Sequence, residues 1–382
     1  MSDSPLAGLK VVELARILAG PWAGQTLADL GADVIKVESP AGDDTRQWGP
    51  PFVTNPDGSS DAAYFHAANR GKQSVVIDFR TEEGQAAVRE LVANADVLIE
   101  NFKVGGLRKY GLDYDSLKKV NPRLVYCSIT GFGQDGPYAH RAGYDFIIQG
   151  MSGIMDLTGE PEGAPQKIGV AFADIFTGVY AVIGIQAALA QRERTGRGQH
   201  VDMSLMDCMV GVLANQGMNY LVSGTSPTRL GNAHPNIVPY QVFPTSDGWF
   251  ILAVGNDRQF QRFYELMGLN DLGGDDRFAT NAGRVAHKAE LSEIISAATR
   301  SWTRDDLLAA LEKQGIPGGP INTVADAFAD PQVEHRHMQI EYERPDGGQP
   351  LQGIRTPIRF SDAELRLNAA SPMLGQNRIT RL

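Results

Sequence analysis

The first 130 residues alternate short apolar runs with helical segments, and this alternation restricts the possible folds more than any other feature of the chain. Helix-start and helix-stop residues, such as Pro21, Gly31 and Thr81, separate the runs. Strands joined by helices of this length form right-handed crossovers and therefore a parallel sheet. We predict an α/β fold with a Rossmann-like large domain and strands over 10–14, 33–38, 74–78, 96–100 and 124–129.

The chain changes character after about residue 225. Apolar runs at 239–243 and 249–254 flank the turn Ser246-Asp247-Gly248, which is a hairpin pattern. Helices are predicted near 257–267, 284–300 and 303–314, so this region is a smaller α+β domain. A strand over 353–360 is expected to return to the large domain. The predicted division is 1–200 with 330–382 for the large domain, 225–325 for the small one, and linkers at 201–224 and 326–329.

Charge and composition exclude several classes of protein. The 382 residues are 42% hydrophobic, 21% charged and carry a formal net charge of −10, without a basic stretch. Nucleic acid and anionic membranes are therefore poor partners. The seven histidines include no H-E-x-x-H pattern, so no metal site is predicted.

Location follows from the cysteines and the N-terminus. Cys127 and Cys208 lie in apolar segments without a C-x-x-C partner, which favours buried free thiols in a reducing compartment. No signal peptide is recognised, and the apolar run 179–190 is interpreted as a buried core helix rather than a membrane span. The cytoplasm is the expected location.

Asp174 is the strongest candidate for chemistry. It precedes the long apolar helical run, in or near the first turn, where the helix dipole and unpaired backbone N–H groups favour an ionised carboxylate. An ionised carboxylate can act as a nucleophile. The alternative is an ordinary helix N-cap, a very common use of aspartate.

Two glycine-containing loops follow predicted strands. Gly131-Phe-Gly133-Gln-Asp-Gly136 matches a dinucleotide-binding pattern weakly, because Pro137 follows and no long helix begins there. Its alternative is a loop that lets backbone approach a ligand or a neighbouring strand. The first strand-to-helix turn, from Ala15 to Pro21, offers a helix N-terminus for phosphate, with Arg16 either adding charge or forming a surface ion pair. No G-x-S-x-G elbow or P-loop is present, which argues against an α/β-hydrolase and a P-loop NTPase.

Several ordered motifs together resemble one family. They are Leu14-Ala-Arg-Ile-Leu-Ala-Gly-Pro21, Asp29-Leu-Gly-Ala-Asp-Val-Ile-Lys-Val-Glu38, Gly42-Asp-Asp-Thr-Arg46, Asn69-Arg-Gly-Lys72, Glu100-Asn-Phe102, Ser128 to Pro137, Arg141-Ala-Gly-Tyr-Asp145, Gly169 to Asp174 and Thr195-Gly-Arg-Gly-Gln199. This set, spread over essentially the whole chain, resembles the family III CoA-transferases. The family fold is a Rossmann-type large domain with a small domain, and two chains interlock as a homodimer.

The resemblance implies a reaction and a set of site residues. Asp174 falls on the family's catalytic aspartate, which forms an aspartyl mixed anhydride and then an aspartyl-CoA thioester. Backbone N–H groups near Asp174 are expected to stabilise the tetrahedral oxyanion. Tyr144 and Asp145 are expected to line the site. The residues matching CoA contacts are Arg16, Ile17, Ala19, Asn101, Phe102, Arg108 and Lys109, whereas Ser39 stands where a basic adenosine contact is common. Coenzyme A is a substrate, and no permanently bound cofactor is implied.

The substrate is less constrained than the reaction. The formyl-CoA transferases of the family carry a glutamine where this chain has Leu18, and they have a glycine-rich flap that is not evident here. Both differences argue against formyl and oxalyl substrates. The pattern is most similar to the branch that uses succinyl-CoA and a dicarboxylic acceptor such as glutarate. A second carboxylate calls for a cation, and the candidates are Arg46, Arg70 and His234; structural ion pairing or solvation is the alternative for each.

Other activities stay open within the family. Acceptors such as itaconate, malate, mesaconate or carnitine, and a non-catalytic CoA-binding role, are alternatives; the retained Asp174 argues against the last. The α-methylacyl-CoA racemases of the family use a histidine base at the position that Tyr144 occupies in this chain. A phenol with a pKa near 10 is a poor base at neutral pH, which argues against racemase activity.

Overall fold

The computed structural model describes residues 4–342, 344 and 347–378. In chain order its strands are β1 (Lys10–Glu13), β2 (Asp33–Glu38), β3 (Phe52–Thr54), β4 (Ser60–Ala62), β5 (Gln73–Val76), β6 (Val97–Glu100), β7 (Val125–Thr130), β8 (His200–Ser204), β9 (Tyr240–Pro244), β10 (Trp249–Ala253), β11 (Gly318–Pro320), β12 (Gln339–Tyr342) and β13 (Leu351–Ile354).

The helices are likewise numbered along the chain. They are α1 (Ala19–Asp29), α2 (Ala63–His66), α3 (Glu82–Ala93), α4 (Tyr114–Val120), α5 (Asp145–Met151), α6 (Ile154–Leu157), α7 (Phe172–Thr195), α8 (Leu205–Gly211), α9 (Ala214–Ser223), α10 (Asp257–Leu266), α11 (Asn281–Ala286), α12 (Lys288–Thr299), α13 (Arg304–Lys313), α14 (Val324–Phe328) and α15 (Pro331–His335). Short 3-10 turns lie at Asp44–Gln47, Arg108–Tyr110 and Asn270–Gly274.

Six parallel strands form the main sheet, in the order β5-β2-β1-β6-β7-β8. The predicted α/β class is therefore confirmed. Both faces of the sheet are covered by apolar clusters, and neighbouring residues of β6 show why: Leu98 belongs to one cluster and Ile99 to the other. Side chains of a strand alternate between faces, so a sheet buried on both faces needs the near-continuous apolar runs seen in the sequence.

Helix α7 is long and apolar enough to cross a membrane by length and composition alone. One side of it nevertheless packs into the core, where Ala181 and Ile185 are fully buried. Gly178 explains how α7 approaches α1: a Cβ atom at this position would lie 2.7 Å from the carbonyl oxygen of Ala19. Close packing of this kind requires a residue without a side chain.

The described chain divides into two compact units. One comprises 1–154, 167–225 and 331–382, and the other 155–166 and 226–330. The predicted hairpin is confirmed within the second unit, where β9 and β10 pair antiparallel and β11 extends the sheet. Residues 155–166, which the sequence prediction gave to the large domain, cluster with this second unit instead.

Two sequence predictions at the edges of the large unit are wrong. Segment 201–224 is not a linker, because it contains most of the edge strand β8 and the helices α8 and α9. The predicted strand 353–360 is shorter and earlier: β13 ends at Ile354 and pairs antiparallel with β12. Pro357 has no N–H to donate to a ladder, which disfavours a strand over the rest of the predicted segment.

Candidate active site

The order of the main sheet creates a crevice between β1 and β6. From these neighbouring strands the chain crosses over in opposite directions, and ligands of open α/β sheets bind at such a switch point. The loops that leave β1 and β6 are joined there. The side chain of Asn101 accepts a hydrogen bond from the Arg16 backbone N–H (2.9 Å) and donates one to the Arg16 carbonyl oxygen (2.6 Å).

Backbone strain marks the same loop. Ile17 has φ 72°, a left-handed conformation that is unusual for a β-branched residue. Such residues persist only when their surroundings hold them and are concentrated at functional sites. Here the Asp43 carboxylate accepts the Ile17 N–H at 3.3 Å, beside the clamp between Asn101 and Arg16.

A buried network of ion pairs holds Asp43, which binds the loop after β1 at Ile17. The Lys36 ammonium lies 3.0 Å from Glu13 and 2.9 Å from Asp43, and the Lys72 ammonium lies 2.8 Å from Glu13. All four side chains are nearly inaccessible to solvent. Burial alone would raise the pKa of Asp43, but Lys36 and the Thr45 hydrogen bonds hold it below its ordinary value. Burial lowers the pKa of Lys72 to about 8, against the opposing effect of Glu13.

Asp174 lies in the first turn of α7, but it is not the helix cap. The cap position is Ala171, whose side chain has no acceptor. Asp145, from the first turn of α5, takes that role: its Oδ1 accepts the N–H of Ala173 (2.8 Å) and, at 3.4 Å, that of Asp174. Its Oδ2 accepts a hydrogen bond from Gln149 (2.8 Å). The N-cap alternative for Asp174 is therefore wrong, and its own carboxylate stays free for other contacts.

The electrostatic surroundings of Asp174 disfavour its charge. Burial, and then the neighbouring Asp145 carboxylate, raise the pKa of Asp174 to about 7. No cation forms an ion pair with Asp174 among the described residues. The sequence-based expectation that this carboxylate is fully ionised is corrected to a mixture of both forms at neutral pH. A carboxylate of higher pKa is also a more basic nucleophile.

The expected oxyanion donors at the start of α7 are already engaged. The N–H groups of Ala173 and Asp174 bind Asp145, and the N–H of Ile175 binds the Ala171 carbonyl. These three N–H groups are therefore not available to an oxyanion in this conformation, and the wider expectation that backbone N–H groups near Asp174 stabilise it stays a prediction. The chain's use of a side chain from α5 as the cap could not be seen in the local sequence.

Gly131 and Gly143 bring two backbone segments into contact. A Cβ atom added at Gly131 would lie 2.4 Å from the Gly143 Cα atom, so only glycine fits. Gly133 adopts φ 85° in the following turn. The glycine pattern thus serves a close backbone approach, which was the alternative to a dinucleotide site, and it fixes the segment that carries Tyr144 and Asp145.

These elements enclose a cavity of about 260 Å³ within the large unit. Most predicted site residues line it together: Asp174, Tyr144, Asp145, Arg16, Ile17, Ala19, Asn101 and Phe102. Residues from the loops after β1 and β6, and from β7, α5 and α7, therefore meet at one place although they are distant in sequence. Tyr144 lines the cavity and is 68% exposed to solvent.

Two predicted CoA contacts do not line the cavity. Arg108 and Lys109 are exposed in the 3-10 turn Arg108–Tyr110. The Lys109 ammonium lies 4.7 Å from the ring centroid of Tyr110, and Arg108 lies 4.0 Å from Asp115. Their proposed contacts with CoA stay predictions.

The predicted substrate cations are placed elsewhere. Arg46 is buried and forms ion pairs with Glu38 (2.7 Å) and Asp61 (2.9 Å), and its guanidinium lies 3.6 Å from the ring centroid of Phe65. This arrangement agrees with the ion-pairing alternative for Arg46. Arg70 is similarly buried against Asp29.

His234 belongs to the small unit. Its Nδ1 accepts the Asn236 N–H at 3.0 Å, and its ring lies beside Tyr240. Its role in substrate binding stays a prediction.

Two cations outside the predicted set of site residues also line the cavity, Lys103 and Arg141. Each is close in sequence to a residue that was selected: Lys103 follows Phe102, and Arg141 precedes Tyr144. The Arg141 guanidinium lies 4.6 Å from the ring centroid of Tyr138 and 5.6 Å from that of Phe132. Arg141 is also the first residue of the motif Arg141-Ala-Gly-Tyr-Asp145, so membership of a family motif was the signal for Arg141, and proximity to the Glu100–Phe102 motif was the signal for Lys103.

The sheet order, the glycine crossing and the unpaired aspartate are typical of an α/β protein with a ligand cavity at the switch point of its sheet. Residues 6–378 match the family described as CoA-transferase family III. The chain belongs to this family and is a family III CoA-transferase.

Curated relatives agree with this assignment. A succinate–glutarate CoA-transferase from Agrobacterium fabrum is 60% identical, over 98% of this chain and 94% of the relative. A human succinyl-CoA:glutarate CoA-transferase is 40% identical, over 98% of this chain and 84% of the relative. Among solved structures, a CAIB/BAIF family protein from Brucella suis superposes with a TM-score of 0.87 at 67% identity, covering 98% of this chain and 97% of that one.

Proposed function

We propose that this enzyme transfers CoA from succinyl-CoA to a dicarboxylic acid such as glutarate. The observation that carries the proposal is the unpaired Asp174 carboxylate in a cavity bordered by the loops after β1 and β6. Two relatives that the chain matches almost end to end are succinate–glutarate or succinyl-CoA:glutarate CoA-transferases, which supports the choice of substrates.

The first half of the reaction acylates and then thioesterifies Asp174. A carboxylate oxygen attacks the thioester carbonyl carbon, the C–S bond breaks, and CoA leaves as a thiolate. The product is a mixed anhydride between Asp174 and succinate. The thiolate then attacks the Asp174 carbonyl carbon, releasing succinate and leaving an aspartyl-CoA thioester.

The second half repeats these steps with the acceptor. A carboxylate oxygen of glutarate attacks the aspartyl thioester and again expels the thiolate, giving an anhydride between Asp174 and glutarate. Attack of the thiolate on the glutaryl carbon forms glutaryl-CoA and restores the Asp174 carboxylate. No net proton is consumed, and no ATP is needed because one thioester replaces another.

The surrounding residues bind and orient rather than react. The Arg16–Asn101 clamp and the strained Ile17 fix the loop expected to hold CoA. Asp145 holds the start of α7, which fixes the backbone of Asp174. Preorganisation of this kind lowers the barrier because the reacting atoms need less rearrangement.

Racemisation of α-methylacyl-CoA remains the contrasting activity within the family. It requires a base that removes an α-proton, and the described lining of the cavity contains no histidine. Tyr144 occupies the corresponding position. The transferase is therefore the better supported function.

A homodimer is also proposed, and its interlocked form rests on the family resemblance. Large apolar side chains are exposed on two helices of the large unit, including Ile183 on α7 and Leu221 and Val222 on α9. Clusters of exposed apolar side chains are typical of a contact with another chain. Light scattering after size exclusion should give twice the mass of the chain, and Leu221→Glu with Val222→Glu should shift the protein toward a monomer. A monomeric wild-type protein would contradict the proposal.

The function is tested with succinyl-CoA and a panel of dicarboxylates, by following new acyl-CoA masses. The wild-type protein should form glutaryl-CoA, and Asp174→Asn should reduce its rate by at least roughly 10³-fold because the nucleophile is lost. The exposed Asp276→Asn serves as the matched control and should be unaffected. Transfer only to another acid would replace glutarate, and a fully active Asp174→Asn would disprove the mechanism.

A further inference from the structure

A dicarboxylic acyl group presents one carboxyl to the nucleophile and keeps a second, charged carboxylate at its far end. A buried carboxylate must be paired with a cation or hydrogen-bond donors. Arg46 and Arg70 are buried and already form ion pairs with carboxylates of the protein, so they are not available to a substrate. The partner of the far carboxylate therefore has to be sought among the cations that line the cavity.

Three cationic side chains line the described part of the cavity: Arg16, Lys103 and Arg141. The guanidinium of Arg16 is paired with Asp44 at 2.8 Å. Lys103 follows Asn101 and Phe102 on the loop after β6, which is expected to contact CoA. Arg141 is carried on the segment that continues into Tyr144 and Asp145, and hence on the segment that caps the helix of Asp174.

Arg141 has its charge available. No carboxylate among residues 4–342, 344 and 347–378 lies within ion-pair distance of its guanidinium. The rings of Tyr138 and Phe132 contact it instead, at 4.6 and 5.6 Å from their centroids. Stacking on an aromatic ring uses the face of a guanidinium and leaves its N–H edge free for a carboxylate.

The segment around Arg141 is held at several points. The Arg141 N–H donates to the Tyr138 carbonyl at 2.9 Å, which closes a turn. Gly143 lies against the Gly131 backbone, and Asp145 is bound to Ala173. A side chain on a segment fixed in this way is held at a constant position relative to Asp174. It can therefore select acyl groups by their length and charge.

We propose that Arg141 is the specificity-determining residue that binds the unreacted carboxylate of a dicarboxylic acyl group. The proposal rests on the proposed function and names the part of the site that selects dicarboxylates. The fork of N–H donors binds both oxygens of that carboxylate, in succinyl-CoA as donor and in glutarate as acceptor. A monocarboxylic acid of equal length leaves the guanidinium without a partner and is transferred less well.

The test compares acids that differ only in the second carboxylate. Initial rates are measured with glutarate and with pentanoate as acceptors, and with succinyl-CoA and butyryl-CoA as donors. In Arg141→Gln, the ratio of kcat/KM for glutarate to that for pentanoate should fall roughly 10- to 100-fold, as expected for loss of a charge-assisted pair. The donor ratio should fall in the same direction.

A second variant and a control separate charge from structure. Arg141→Lys keeps the positive charge but not the fork, so its ratio should lie between those of the wild type and Arg141→Gln. Arg194 is exposed at the end of α7, and Arg194→Gln should keep the wild-type ratio. Titration with CoA alone should give the same Kd for the wild type and both Arg141 variants.

Several outcomes would overturn the inference. An unchanged glutarate-to-pentanoate ratio in Arg141→Gln would do so, and a weaker Kd for CoA with that ratio unchanged would assign Arg141 to a CoA phosphate. If the wild type transfers CoA only to monocarboxylic acids, both this inference and the proposed function fail. If it transfers CoA to dicarboxylates with no dependence on Arg141, the proposed function survives and the inference does not.

Discussion

Asp43 and Asp174 both lie beside the switch-point cavity, but their electrostatic surroundings are opposite. Asp43 is paired with Lys36 at 2.9 Å and accepts two hydrogen bonds from Thr45, which hold its pKa below the ordinary value despite burial. Asp174 faces another carboxylate, Asp145, and its pKa is raised to about 7. Ion pairing therefore stabilises the charge of the structural carboxylate Asp43, whereas Asp174, the proposed nucleophile, has no cationic partner among the described residues.

The role of ion pairing at Asp43 is tested by removing the charge of Lys36. Lys36→Met leaves Asp43 buried without its ammonium partner, so the free energy of unfolding should fall by about 3–5 kcal/mol. Because Asp43 also holds the strained Ile17, the KM for acyl-CoA should rise in any fraction that folds. Denaturant unfolding and steady-state kinetics measure the two effects.

The exposed pair of Lys118 and Asp115 provides the control. Lys118→Met should leave both stability and KM nearly unchanged, because solvent screens exposed ion pairs. Equal losses in Lys36→Met and Lys118→Met would remove the distinction between the buried network and ordinary surface pairs.

For Asp174, which has no cationic partner, we predict that removing the charge stabilises the protein, in contrast to the loss expected for Lys36→Met. The pKa of Asp174 in the folded protein, about 7, lies above its ordinary value of 3.8, so its ionised form costs stability. This cost is absent below about pH 4, grows between pH 4 and 7 and is complete above pH 7. Asp174→Asn should therefore stabilise the ligand-free protein by up to about 4 kcal/mol at pH 8, and by less at pH 5.5. Thermal unfolding at both pH values measures the difference, and a destabilised variant at pH 8 would count against an unpaired Asp174.

The smallest expected effect concerns the pH dependence of the rate. In the proposed mechanism only ionised Asp174 attacks, so kcat/KM for acyl-CoA should fall below about pH 7. Asp145→Asn removes a like charge but keeps an oxygen for the Ala173 N–H, so the acidic limb should move to lower pH. Burial, the larger cause of the raised pKa, remains and limits the movement. Identical pH profiles would show that Asp145 has no influence on Asp174.

Much of the fold was predictable because buried parallel strands leave continuous apolar runs. The run 33–38 coincides with β2, and the hairpin was found from its turn residues. Strand β8 was missed because His200, Asp202 and Ser204 alternate with apolar residues at a sheet edge, and only the period-2 pattern could have revealed it. Cytoplasmic location stays a prediction, although Cys127 and Cys208 are buried free thiols as expected.

The site was predictable in composition but not in its electrostatics. The family motifs in the sequence predicted most of the residues that line the cavity, including Asp174 and Asn101. It could not show that Asp145 caps α7 from another helix, or that Arg46 is neutralised by Glu38. Both facts depend on contacts between segments far apart in sequence, and local patterns carry no information about them.

Covalent attachment of CoA to Asp174 is measured by peptide mass spectrometry of the enzyme mixed with succinyl-CoA and quenched in acid. Cleavage after Lys167 and Arg192 releases a peptide in which Asp174 is the only residue with a side-chain carboxylate. In the wild-type enzyme this peptide should gain the mass of CoA less one water, and in Asp174→Asn it should not. CoA attached to a different peptide of an enzyme that turns over normally would contradict the proposed role of Asp174.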